Sequence, residues 1–144
     1  DTDGTDPRVR NNQAGFVAGF DRDILAGKLN LNVQVRGLAT LNPGGIEDNG
    51  FAADTEYRED GVYTETLAAV RLSGSFMRDR LKPETSLVVG LEHGDLRLEP
   101  ELVYKPSDDL ELGARFVLFA GDRDGTFGRF RDNDFGEVFV SFRF

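Results

Sequence analysis

A single histidine, His93, sits between Glu92 and Gly94, with Asp95 one residue further on, in a chain that has no cysteine. An imidazole flanked by carboxylates could serve as a general base, so any histidine-dependent hydrolysis would have to run through this stretch. Gly94 points to a different role. His-Gly between two alternating segments reads as a two-residue hairpin turn, with Glu92 facing Asp95 and Leu91 facing Leu96. The turn outweighs catalysis, and no enzyme activity is expected.

The other chemistry-bearing residues are carboxylates. DTDGTD at the start has the spacing of a calcium loop, but Asn12 stands where an EF-hand needs its glutamate. GDRDG (121–125) and RDND (131–134) read as solvated acidic loops, with no metal or cofactor expected. The segment 46–60 carries Glu47, Asp48, Asp54, Glu56, Glu59 and Asp60 against Arg58, a net of -5. It either stands in solvent, the favoured reading, or folds inward as a constriction. Glu99 and Arg115 should meet across a hairpin if Tyr104 pairs with Leu110, as a salt bridge or as part of a charge ladder with Arg97 and Arg36. Pro100 removes one ladder donor and hints at a bulge.

These residues must be held by strands. In KLNLNVQVRGLATL (28–41), Leu29, Leu31, Val33 and Val35 alternate with Lys28, Asn30, Asn32, Gln34 and Arg36, a period of two that no helix would carry. The same pattern predicts strands over 14–20, 62–77, 85–92, 95–104, 110–120 and 136–144. Short turns are expected at 21–27, 79–84 and 105–109, and long loops at 42–61 and 121–134. No helix is expected. The polar side of the strands holds Lys28, Arg36, Arg71, Arg97, Arg115 and Arg143 against Glu65, Glu92, Asp95, Glu99, Glu101, Glu111 and Glu137, a wall of almost no net charge.

Composition narrows the class. The net charge is -9, which excludes a phosphate-binding basic surface and so argues against nucleic acid. A mean hydropathy of -0.38 leaves no apolar run long enough for a transmembrane helix. Seventeen glycines and twelve phenylalanines suit strands and turns.

Alternation does not say which solvent the apolar side meets. A soluble barrel hides it, whereas a membrane barrel turns it to lipid. Strands running toward the short turns end their apolar side on Phe20, Phe76, Tyr104 and Phe144, with Phe142 one step before the last, as an interfacial aromatic girdle would. The final strand, GEVFVSFRF, with Val138, Val140, Phe142 and Phe144 on one side, resembles the C-terminal targeting strand of Gram-negative outer-membrane β-barrels. KPSDDLELGARFVLFAGD before it resembles part of the last hairpin of porin-like barrels.

That resemblance, which covers roughly the last forty residues, implies an all-β, antiparallel up-and-down transmembrane β-barrel in the bacterial outer membrane, with the loops 42–61 and 121–134 extracellular. It implies lipid and the barrel-assembly machinery as partners. Seven strands would close only through a parallel pair, so residues 1–144 are expected to be the C-terminal segment of a larger barrel. A missed strand or a barrel shared with other copies is the alternative. The expected function is a channel for small polar or amphiphilic solutes, lined by Lys28, Asn30, Asn32, Gln34, Arg36, Glu65, Arg71, Arg97, Glu99, Glu101, Glu111 and Arg115, with weak ion selectivity. The alternative is a structural or assembly barrel filled by its own side chains.

Overall fold

The computed structural model of the protein describes residues 5–143. Seven strands form one antiparallel sheet in chain order: β1 (Gln13–Ile24), β2 (Leu29–Thr40), β3 (Thr64–Gly74), β4 (Leu81–Gly90), β5 (Asp95–Tyr104), β6 (Leu110–Ala120) and β7 (Phe135–Phe142). The fold is therefore an all-β up-and-down meander whose sheet is open between β1 and β7. Contrary to expectation, helical pieces occur in both long connections, α1 (Pro43–Asn49) and a single 3-10 turn (Gly128–Phe130). Neither is long and apolar enough to cross a membrane.

The short connections are tighter than the sequence suggested. β1 runs to Ile24, and β4 begins at Leu81, so Asp21, Asp23, Lys82 and Glu84 belong to strands rather than turns. Lys-Pro-Glu reads as a turn, but Pro83 is accommodated because the β3–β4 ladder skips its level. Paired positions stop at Ser73–Glu84 and resume in one bridge at Phe76–Leu81, in the same register. Pro100 acts alike. The β5–β6 ladder omits Glu99 and Pro100 and continues unshifted on either side, so there is no bulge. A proline here costs a rung and leaves the register intact.

Two hairpin registers differ from expectation by two residues, which preserves every side chain's face. Gly90, not Glu92, lies opposite Asp95, and the turn spans four residues. The Glu92 carboxylate accepts the Thr66 backbone N–H at 2.7 Å, and this holds the turn toward β3. Tyr104 pairs with Leu112, not Leu110, so Arg115 stands opposite Glu101. Leu110 and Glu111 pair only with β7. The other two short turns, around Leu25–Gly27 and Met77–Asp79, each string three left-handed residues together. Gly27 does so freely, and Asp79 in the matching place accepts a hydrogen bond from the Ser75 hydroxyl.

The strands are staggered in one direction. A row through Phe20, the eighth residue of β1, passes Val33, Val70, Leu87 and Leu98 to Leu118, one position beyond the last β6 residue paired with β7. The sheet has climbed eight residues in six strand-to-strand steps when counted from the long-loop ends and four when counted from the short-turn ends, about 0.7–1.3 residues per step. At ~3.3 Å per residue and ~4.8 Å between strands, this is a strand tilt of about 25–40°.

On β5 and β6, burial is inverted relative to a sheet that hides an apolar core. Phe116, on the apolar face, is 53% exposed, whereas its chain neighbour Val117, on the charged face, is 2% exposed. Phe16, Phe20, Leu102, Val138, Val140 and Phe142 are likewise open on the apolar face, while Asp95 and Val103 are buried on the charged one. Three aromatic rings cover glycines on neighbouring strands: Phe16 over Gly37 and Phe116 over Gly136 on the apolar face, and Phe139 over Gly113 on the charged face. Such covering compensates for the missing side chain at each glycine.

Candidate functional site

The period-two pattern and the register together bring one polar residue from every strand into a single row on the charged face. Asp23 lies opposite Asn30, Asn30 opposite Ser73, Ser73 opposite Glu84, Glu84 opposite Glu101, Glu101 opposite Arg115, and Arg115 opposite Glu137. The next row adds Asp21, Asn32, Arg71, Ser86 and Glu99. Gln34, Arg36, Glu65, Arg97 and Glu111 fall on the same face, and Lys28 flanks it in the turn before β2.

Within the strands this face carries nine carboxylates (Asp21, Asp23, Glu65, Glu84, Asp95, Glu99, Glu101, Glu111, Glu137) against five cations (Arg36, Arg71, Lys82, Arg97, Arg115). The face is acidic, not near neutral. The difference arises because the longer β1 and β4 add three acids and one lysine, while Lys28, Glu92 and Arg143 lie outside the strands.

Pairing is uneven along the belt. At the β1 end, amides answer the acids: Asn30 Nδ2 donates to Asp21 and Asp23, both at 3.0 Å, and Asn32 Nδ2 donates to Asp21 at 2.9 Å. In the middle, Arg71 grips Glu84 with Nε and a terminal nitrogen, both at 2.7 Å. Toward β7, Arg115 binds Glu137 through one terminal nitrogen and approaches Glu99 at 3.6 Å through the other, and Glu99 also takes Arg97. The Arg115–Glu99 contact thus forms diagonally. Arg97 joins it through the shared Glu99, whereas Arg36 stands apart and pairs with Glu65 at 3.8 Å.

The long loop 121–134 is strapped onto this face. Asp95 is 1% exposed, and its carboxylate accepts the backbone N–H groups of Phe127 and, at 3.1 Å, Gly128. Glycines make the room: side chains at Gly90, Gly121 or Gly125 would run into Asp95, and one at Gly128 into the Asp122 carbonyl. Thr126 reaches Glu65 at 3.3 Å, while Asp134 accepts the Phe119 N–H at 2.8 Å. GDRDGTFG is therefore a fitted strap, although it reads in sequence as a solvated acidic loop. Its three glycines were the available signal.

The other long loop folds on itself. Ile46 of α1 is fully buried, Asn49 and the Glu56 N–H bond to the buried Asp54, and Asn11 donates to the Leu41 and Asn42 carbonyls. Tyr63 donates its hydroxyl to Glu47 at 2.7 Å, and burial followed by that hydrogen bond raises its pKa above the usual phenol value. His93 Nε2 lies 3.3 Å from Asp60 Oδ2, tying this loop to the β4–β5 turn. Among the described residues, no cluster of His, Asp and Glu side chains is arranged to hold a metal ion. Of DTDGTD, only Thr5 and Asp6 are described, and Asp6 accepts the Arg8 N–H.

The expected girdle positions separate. Phe20, Tyr104 and Phe142 stand seven, nine and seven residues from the long-loop ends of their strands. Phe76 stands twelve residues along, beyond the end of β3 in the bridge to Leu81. Phe144 lies outside the described residues. Comparison with protein-family models, with curated proteins and with solved structures finds no match.

Proposed function

We propose that this sheet is a wall of an outer-membrane β-barrel that passes small polar or amphiphilic solutes along its charged face, by steric and electrostatic filtering without covalent chemistry. The observation that carries the reading is the inverted burial on β5 and β6: Leu102, Phe116 and Leu118 stand open on the apolar face while Asp95, Val103 and Val117 are covered on the charged one. Lipid is the environment in which that arrangement is favourable. The one-directional stagger supports it, since closure requires a directional climb. The acidic belt favours cations over anions of the same size.

β1 and β7, the two edges, run in the same direction. Joined to each other, or to the edges of further copies around one axis, they would form a parallel junction. Antiparallel closure therefore takes an odd number of additional strands, and open edges in lipid would leave backbone groups unpaired. The partners in this reading are those strands, outer-membrane lipid and the barrel-assembly machinery.

The test places a charge on each face. Leu98→Arg, in the middle of the apolar face, should weaken association with lipid vesicles by about 2–4 kcal/mol, whereas Gln34→Arg should leave it unchanged. A wild-type chain that folds without detergent and ignores vesicles would overturn the reading. The strap and the buried Val103, Val117 and Asp95 favour a second reading, a structural barrel filled by its own residues. Conductance across a planar bilayer, present or absent in the closed barrel, separates the two.

A further inference from the structure

The chain contains only three lysines, Lys28, Lys82 and Lys105, and all three line one cavity of about 500 Å³ at the short-turn end of the charged face. Four carboxylates, Asp79, Glu84, Glu101 and Glu111, share its wall, and Asp79 accepts the Ser75 hydroxyl. Pairing within this group is incomplete in a specific way. Lys105 is held by Glu111 at 2.7 Å, and Glu84 by Arg71. The side chains of Lys28, Lys82 and Glu101 make no hydrogen bond or ion pair among the described residues. Lys28, Lys82 and Glu101 are therefore open to a ligand on the same wall, with Glu111 near Lys82, Arg115 opposite Glu101, and Asp79 beside them bound to Ser75.

We propose that this cavity binds a small zwitterion carrying both a carboxylate and an ammonium group, of the amino-acid or short-peptide class. The ligand carboxylate is taken by Lys28 and Lys82, and its ammonium by Glu101. A simple anion would gain the lysines but meet Glu101 and the already acidic belt. A simple cation would gain Glu101 but meet two ammonium groups. Only a ligand with both charges satisfies all three residues at once. The volume suits such a solute, and Asn30, Ser73 and Ser75 on the same wall supply uncharged polar groups.

This inference rests on the reading that the charged face lines a solute path. Its test uses the whole chain in detergent, with the lysines carbon-13 dimethylated, a change that keeps their charge. The three lysine signals are assigned by Lys→Arg variants. Glycylglycine should move the Lys28 and Lys82 signals saturably at millimolar concentration and leave Lys105 nearly still. Acetate and methylammonium at equal concentration should not, and Glu101→Gln should abolish the glycylglycine shifts while strand content by circular dichroism is retained. Equal shifts with acetate, shifts that survive Glu101→Gln, or no shift at all would each overturn the proposal. If that variant misfolds, the comparison of glycylglycine with acetate on the wild type still decides. Vesicle association is read separately, so the zwitterion site and the membrane reading can fail independently.

Discussion

Glu84 and Glu101 stand directly opposite each other across β4 and β5, two carboxylates on one face with a cation bound to only one of them. Opposed like charges destabilise a sheet, whereas an ion pair stabilises it. Glu101 also stands opposite Arg115 on β6, so Glu101→Gln removes one repulsion and one attraction and should change stability little, whereas Glu84→Gln, which strands Arg71, should lower it by about 0.5 kcal/mol. Urea unfolding of each variant in detergent reads both, and an equal loss in the two would contradict the geometry.

Asp95 holds the strap by two backbone hydrogen bonds to a buried carboxylate. Asp95→Ala removes both, at a cost of about 2 kcal/mol in local opening, or roughly thirtyfold in the open population. Trypsin cleavage after Arg123, Arg129 and Arg131 should accelerate by that factor, while cleavage after Arg36 in β2 should not. Uniform acceleration at all sites would mean that Asp95 supports the sheet rather than the strap.

Phe139 occupies the space above Gly113, where even a methyl group would collide with the ring. Gly113→Ala should displace Phe139 and cost about 1–3 kcal/mol. Phe139→Ala should leave Gly113 uncovered. Because both act at one contact, the double variant should be less destabilised than the sum of the two singles. A thermal-unfolding cycle checks this, and strict additivity would refute the contact.

Glu92 predicts a pH effect confined to one turn. Its partial burial pushes its pKa up, but the hydrogen bonds from Thr66 outweigh this and hold it below its ordinary value of 4.5. A depressed carboxylate contributes stability above its unfolded pKa and loses it as pH falls through the lower folded value. Protection of the Thr66 amide from hydrogen exchange, corrected for intrinsic rate, should therefore decline below about pH 4.5. In Glu92→Gln it should be flat with pH.

The strands and the division of their faces were legible because alternation over ten or more residues admits no other reading. β2 and β5 could be drawn almost to the residue from KLNLNVQVRGLATL and DLRLEPELVY. Elsewhere, local chemistry was overridden by tertiary pairing. Lys-Pro-Glu has turn composition yet extends β4, since a proline at a skipped rung breaks nothing. Glu92 was expected across from Asp95, but one carboxylate caps β3 and the other is claimed by the strap, which moves the register by two. The strap itself was hidden because its contacts are backbone N–H groups meeting a residue some thirty positions away. The acidity of the charged face was missed for the same reason as the strand ends: Asp21, Asp23 and Glu84 look like turn residues until their partners are known.

The stagger of the strands gives the polar row a shape that a list of its members conceals. Asp23 lies one residue from the short-turn end of β1, whereas Glu137 is the third residue of β7, near the opposite end. Seven residues that are neighbours along the hydrogen-bond row thus descend by about 12–20 Å along the axis of a sheet tilted at about 25–40°. The row is a spiral stair rather than a ring. On the proposed path, a cationic solute would meet its carboxylates one after another and would never face the whole charge of the wall at a single height.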